Sequence, residues 1–217
     1  MTISSNALSS GAVTRLRPFR LSSSSSSDAV AGFIQSFLMG SKKEKLKADI
    51  LVLAEKTQRG LSETPEQREE MLVMFEKLEK LNPTTNPLSS PKTSGKWLLK
   101  YTTSASILGR GGTERTGEIV QVLDTSGLKA SNSETLNFGL FKLPRKVKAE
   151  LTPMSSSLCA VQFKQFSFGV GDIVKVSAPE SFKGTLDVTY VDEELRLSRG
   201  DKGNIFVLVK ESDDITL

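Results

Sequence analysis

The alternation of apolar and polar positions changes period once along the chain, near residue 95. Before that point, from Lys42 to Arg59, Leu46, Ile50 and Leu53 recur at helical spacing with charges between them, and Gly60 is placed to stop the helix. A second helix follows at once. Thr64 is a favourable N-cap, Pro65 suits the first helical position because its missing N–H has no partner there anyway, and Gln67 completes a capping box. Its inward face carries Met71, Met74 or Phe75, Leu78 and Leu81, and the run Asn82-Pro83-Thr84-Thr85-Asn86-Pro87 ends it.

From Gly95 onward the pattern alternates in short runs separated by turn residues. The expected strands are Lys96–Thr103, Gly117–Leu123, Leu128–Phe138, Lys146–Leu151, Leu158–Phe168, Ile173–Ser177, Gly184–Val191, Glu194–Arg199 and Asn204–Lys210. Asp124-Thr125-Ser126-Gly127 and Gly200-Asp201-Lys202-Gly203 have turn chemistry, and Asp192-Glu193 suits another hairpin. With little room for crossover helices, sequential antiparallel pairing into an up-and-down barrel is favoured over a parallel sheet. Strand phase groups Leu186, Val188 and Tyr190, then Leu195, Leu197 and Arg199, then Ile205, Val207 and Val209. In Leu158–Phe168 the apolar phase switches between Val161/Phe163 and Phe166/Phe168, which fits either a bulge or a strand buried on both faces.

Composition narrows the chemistry. The chain has no histidine and one cysteine among 217 residues, which removes His-dependent triads, His-ligated zinc and any intrachain disulfide. No apolar stretch approaches the roughly 18 residues of a membrane-spanning helix. The net charge of +4 is concentrated at the start: residues 1–27 hold Arg15, Arg17 and Arg20 with ten serines and no acid, leaving 26 basic and 25 acidic groups in the rest. A body so nearly neutral, with no dense basic face, argues against nucleic-acid binding. The serine-rich, acid-free leader lacks the continuous apolar core of a secretory signal and fits chloroplast import, with an ordinary disordered tail as the alternative. Between Asp28 and Met39, Val30, Phe33, Ile34, Phe37 and Leu38 share one helical face, either the end of the presequence or an interfacial segment. The expected division is therefore 1–41 transit peptide with this segment, 42–91 helical hairpin and Pro-rich connector, 92–212 barrel and 213–217 tail.

Several residue groups invite catalytic or binding readings. The glycine-rich loop Gly109–Gly117 lacks the Gly-Lys-Ser/Thr ending of a phosphate loop and precedes a strand, so a barrel-mouth loop is the better reading; its two arginines could still touch anionic headgroups. Cys159, inside a strand and without a histidine to activate it, reads as a small buried hydrophobe. Asp192, Glu193 and Glu194 read as a solvated turn rather than an acid–base pair, and Asp187 as an outward polar position. No catalytic residue, metal site or cofactor is expected.

Three separated motifs carry a family resemblance: Glu79-Lys80-Leu81-Asn82-Pro83-Thr84, Gly95-Lys96-Trp97-Leu98-Leu99-Lys100-Tyr101-Thr102, and Thr189-Tyr190-Val191-Asp192-Glu193-Glu194-Leu195-Arg196-Leu197-Ser198-Arg199-Gly200 followed by Gly203 and Phe206-Val207-Leu208. In this order the chain resembles the plastid lipid-associated proteins, also called plastid fibrillins, over roughly residues 45–212. The resemblance implies a mainly β, α+β fold, an antiparallel lipocalin-like β-barrel preceded by a helical hairpin. It also implies a non-enzymatic plastid protein, at thylakoids or plastoglobules, whose partner is an apolar lipid such as an isoprenoid quinone, a carotenoid or an acyl lipid. Gly95-Lys96-Trp97 is similar to the G-x-W of lipocalins, in which an arginine covers the tryptophan at the barrel floor. Strand phase makes Arg199 the expected partner of Trp97, pointing inward with Leu195 and Leu197. Phe138, Phe141, Phe163, Phe166, Phe168, Phe182 and Tyr190 either line a ligand cavity or fill the barrel; Phe138, Phe163, Phe166, Phe168 and Tyr190 are the expected ligand contacts. A solid barrel that coats lipid surfaces or docks on partner proteins is the rival reading, and an enzyme using Asp192 and Glu194 a third.

Overall fold

Two helices are followed by nine strands. The computed structural model describes residues 25–110 and 112–217, with side chains from residue 38 onward, so the leader reading for residues 1–24 and the Val30–Phe37 face lie outside the described residues. The chain divides into two units, Met1–Gly40 and Ser41–Leu217. Helix α1 spans Ser25–Lys56, and no helix among the described residues is long and apolar enough to cross a membrane. It ends earlier than Gly60, in a tight turn where Gln58 and Arg59 take positive φ. Helix α2 spans Pro65–Glu79 with the expected capping box: Thr64 accepts from the Gln67 N–H, and the Gln67 side chain accepts from the Thr64 N–H. Met71, Met74, Phe75 and Leu78 form its buried face.

The strands are β1 Gly95–Thr102, β2 Glu114–Asp124, β3 Lys129–Asn137, β4 Lys142–Pro153, β5 Leu158–Phe168, β6 Val174–Ser177, β7 Lys183–Val191, β8 Leu195–Gly200 and β9 Ile205–Ser212, with a single helical turn, α3, at Ala105–Leu108. All pairings are antiparallel, in the order β4-β3-β2-β1-β9-β8-β7-β5, and β4 pairs with β5 to close an eight-stranded barrel. Strand β6 stands outside that ring. The first half of β5 pairs with β7 and the second half with β6. Closure removes the sheet edges that an open sheet would expose. Strand polarity defines a floor, at the start of β1 and the β2–β3, β4–β5 and β7–β8 turns, and a mouth, at the β1–β2, β3–β4, β5–β6 and β8–β9 connections.

Two cores share one wall. Outside the barrel, Tyr101, Tyr190, Leu195, Leu197, Ile205 and Val207 pack beneath Ile50, Leu53, Met71, Phe75 and Leu78 of the helices. Inside it, Trp97, Leu99, Leu123, Leu151, Cys159, Val188 and Leu208 form the second cluster. Strands β1, β7 and β9 are therefore apolar on both faces, whereas β8 is apolar only on its outer face, and bulges decide which residue goes where. Pairing skips Lys100 between Leu99 and Tyr101 and skips Thr189 between Val188 and Tyr190. Tyr101 and Tyr190 are thus turned outward under the helices, and Tyr190 does not share the face of Leu186 and Val188 that simple alternation predicts. The phase switch in β5 is likewise a bulge, at Lys164, which the pairing with β4 passes over.

The turn between β7 and β8 is a buried junction. Asp192 is only 2% exposed, which corrects the expectation of a solvated carboxylate. It accepts from the Tyr190 hydroxyl at 2.5 Å, from Lys47 Nζ on α1 at 3.0 Å, and from the Glu194 and Leu195 N–H groups. Burial alone would raise the Asp192 pKa, but these donors outweigh it and hold the carboxyl below its ordinary range. Glu193 and Glu194 stay exposed, Glu194 reaching back to Lys47 at 2.6 Å.

Gly95 opens β1 at φ +132, and a Cβ there would stand 2.6 Å from the Ser212 carbonyl oxygen. Only glycine fits this conformation and this approach to β9. Gly95→Ala is expected to lower stability by about 1–3 kcal/mol, readable as a reduced urea midpoint; an unchanged midpoint would show that β1 and β9 part there without cost.

Candidate functional site

The floor of the barrel is sealed by an aromatic–cation stack. Trp97 is fully buried, its indole N–H donating to the Thr93 carbonyl at 3.0 Å, and the Arg196 guanidinium lies 4.7 Å from the ring centre. The expected partner, Arg199, is elsewhere. It points out of the barrel onto Phe75 of α2 at 5.2 Å and grips Glu79 with two hydrogen bonds of 2.8 Å. The apolar face it shares with Leu195 and Leu197 is the outer wall under the helices, so apolar phase here does not mean barrel interior. Arg196, on the opposite face, is enclosed and donates through Nη2 to the Gln121 side-chain oxygen. Its Nε and Nη1 have no protein partner, and burial pushes its pKa down to about 9, which leaves it cationic at neutral pH.

Above this floor the barrel is hollow. A cavity of about 890 Å³ runs toward the mouth, within the size range of small-molecule sites. Its apolar walls are Leu99, Ile119, Val147, Ala149, Leu151, Val161, Phe163, Phe166, Leu186, Phe206 and Leu208, inward positions of β1, β2, β4, β5, β7 and β9 once the bulges are counted. Polar and charged side chains make up much of the rest of the lining, most of them toward the mouth. At mid-depth Gln121 on β2 donates to Asn132 on β3 at 3.0 Å, and Ser198 on β8 is fully buried with its hydroxyl unpartnered.

Three charged side chains gather near the entrance. Glu134 on β3 accepts from Arg115 Nε on β2 at 2.6 Å and from Arg145 Nε on β4 at 2.9 Å, so one carboxylate is shared by two guanidiniums and the cluster carries one net positive charge. Arg115 also donates to the carbonyls of Thr113 and Ser106, tying the β1–β2 connection to the wall. Arg110 donates to Gly60 and approaches Glu63, so both arginines of the glycine-rich loop are held by the protein itself. That loop ends where β2 begins, at Glu114, three residues before the expected strand start.

Of the aromatic residues expected to touch a ligand, Phe163 and Phe166 line the cavity, as does Phe182, which meets Phe166 edge-on at 5.8 Å between ring centres. Tyr190 lies outside the barrel under the helices, Phe168 is not part of the lining, and Phe138 and Phe141 are exposed in the β3–β4 turn. Cys159 is buried as expected; desolvation pushes its thiol up to about 11, far from a reactive thiolate. Asp187 points outward but is not solvated freely. It borders a shallow polar groove with Asn82, Glu79 and Arg199, one carboxylate oxygen buried without a partner. The entrance cluster and the Gln121–Asn132 pair went unread in the sequence, although Ser131-Asn132-Ser133-Glu134-Thr135 has no apolar residue on either face. A closed barrel tolerates such a strand only where its inner face meets open space rather than packed side chains.

A family model, PAP_fibrillin, matches residues 44–209. The chain is 35% identical over 175 residues to the probable plastid-lipid-associated protein 5, chloroplastic, of Arabidopsis thaliana, covering 79% of this chain and 71% of that protein. It is 26% identical to the light-induced protein, chloroplastic, of Solanum tuberosum, with 81% and 70% covered. With the chromoplast-specific carotenoid-associated protein of Cucumis sativus it shares 27% identity, covering 77% and 68%. A helical hairpin laid on a closed eight-stranded barrel, matched from residue 44 in α1 to residue 209 within β9, makes this chain a member of the PAP_fibrillin family.

Proposed function

We propose that this plastid protein is a non-enzymatic carrier that holds one apolar or weakly amphipathic lipid inside its barrel, at the surface of thylakoids or plastoglobules. The observation that carries the reading is the hollow itself: about 890 Å³ with aliphatic and aromatic walls and polar side chains gathered mainly toward its mouth. Removing about 300 Å² of isoprenoid or acyl surface from water gains roughly 7 kcal/mol before the entropy of association is subtracted. No charged catalytic group is needed for that. The polar groups at mid-depth suit orientation rather than reaction, since Gln121, Asn132 and Ser198 present donors and acceptors to a carbonyl or hydroxyl. The relatives' names, plastid-lipid-associated and carotenoid-associated, support the lipid class and the plastid. A barrel that only coats lipid or docks on partners is less well supported, because it gives no reason for an unfilled interior.

Titrating the full chain with a fluorescent polyene fatty acid tests this. Saturable emission at one probe per chain, reversed by plastid lipid extract, is the expected result. Emission that never saturates, or that extract fails to reverse, contradicts it.

A further inference from the structure

Two hairpin turns at the barrel mouth hold their largest apolar side chains in solvent. In the β3–β4 turn Leu140 is 96% exposed and Phe141 74%, with Phe138 beside them. In the β5–β6 turn Val170 is 80% and Ile173 79% exposed, and Val174 and Val176 continue the strip along β6. The pairing of β4 with β5, with Arg145 opposite Phe168, sets the two hairpins side by side, so both project past the same end of the barrel. Tight turns are ordinarily built from polar residues and glycine. Apolar tips clustered around one opening mark an interaction surface rather than scattered exposure.

Charge separates the two ends. The floor turns and the segment after β9 carry Asp124, Asp192, Glu193, Glu194, Asp213 and Asp214, and the lysines at that end are largely paired, Lys47 with Asp192 and Glu194, Lys92 with Glu193, Lys96 with Glu211 and Lys210 with Asp213. At the mouth Lys142, Lys175, Lys183 and Lys202 are exposed, and none of the four joins an ion pair among the described residues, although Asp172, Glu180 and Asp201 lie at the same end. We propose that the barrel docks mouth first on an anionic lipid surface, the Phe138–Phe141 and Val170–Val176 turns entering the acyl layer while these lysines meet the headgroups. A lipid surface fits better than a protein partner because the tips stand on separate projecting turns, with exposed lysines at the same end, and not on one continuous flat face. Phe182, exposed and also lining the cavity, joins this strip to the interior, so a lipid can pass between surface and cavity without crossing water. That last clause rests on the carrier reading; the docking surface does not.

The test is co-sedimentation of the full chain with phosphatidylcholine vesicles, with and without phosphatidylglycerol. The double variant Leu140→Asp/Phe141→Asp is expected to lose at least about tenfold in partitioning, whereas Met154→Asp, exposed at the floor end, sediments like the parent chain. Lys142→Glu/Lys175→Glu is expected to lose only the part that phosphatidylglycerol adds. Double-variant sedimentation equal to the parent, or an equal loss in Met154→Asp, overturns the proposal. So does a concentration-dependent dimer that the double variant abolishes while vesicle binding persists. Uptake of the polyene probe from solution is measured on the same variants without vesicles. Retained uptake in the double variant confines the defect to docking, and absent uptake in a parent chain that still sediments is a failure of the carrier reading alone.

Discussion

Ala149→Trp is expected to reduce probe uptake by at least tenfold while leaving the protein folded. Ala149 is buried on β4, faces the cavity between Val147 and Leu151, and stands across the hollow from the β1–β9 side of the wall. Overpacking a filled core costs about 1–3 kcal/mol because neighbours must leave their rotamers. Here the indole has open space to enter, so the melting temperature should stay within a few degrees of the parent. Loss of binding together with retained stability is the signature of a blocked cavity. Strong destabilisation with binding unchanged would place the lipid elsewhere and the hollow in the role of a packing defect.

The second large effect is on stability. Asp192→Ala removes the acceptor for Lys47, for the Tyr190 hydroxyl and for two backbone N–H groups, all at a buried junction between α1 and the β7–β8 turn. Removing one partner of a buried ion pair costs about 3–5 kcal/mol because the other groups stay desolvated, a fall of roughly 6–20 °C in melting temperature for a unit of this size. The pH dependence has a definite sign. The Asp192 carboxyl is held below its ordinary value of 3.8, so its contribution is complete above that value and is lost as pH falls through the lower folded pKa. For Lys47, burial would lower the pKa but hydrogen bonds to Glu194 and Asp192 raise it above its ordinary 10.5, so its contribution is complete below 10.5 and is lost as pH rises further. The stability difference between parent and Asp192→Ala should therefore be constant from about pH 5 to 9 and shrink in acid. Urea unfolding at pH 7 and pH 3 checks this; a difference that grows in acid would contradict the ion-pair account.

Local signals in the sequence identify all nine strands, the capping box at Thr64 and the phase switch in β5, though not that the switch is a bulge, because each depends on residues close in the chain. Facing was harder. Where helices cover the outside of a wall whose inside is also apolar, alternation marks a residue as buried without saying on which side. Arg199 was assigned to the floor for that reason, although Arg196 holds it, and the bulge at Thr189 turned Tyr190 away from Leu186 and Val188. Alternation runs unbroken across Lys100 and Thr189, from Leu99 to Tyr101 and from Val188 to Tyr190, whereas at Lys164 it shifts phase between Phe163 and Phe166. The cavity was equally hidden, since an eight-stranded barrel can be filled or hollow and the outcome depends on side-chain volumes summed over all strands. The Arg115–Glu134–Arg145 cluster joins three strands and is visible only once their registers are known.

The central claim is that the barrel carries one apolar lipid, and native mass spectrometry tests it most directly. The full chain and its Ala149→Trp variant are incubated with total plastid lipid, freed of excess by gel filtration and weighed side by side. The account predicts one discrete lipid mass added to the parent chain and none to the variant. A parent chain that flies empty, or a variant carrying the same lipid in the same proportion, would contradict it.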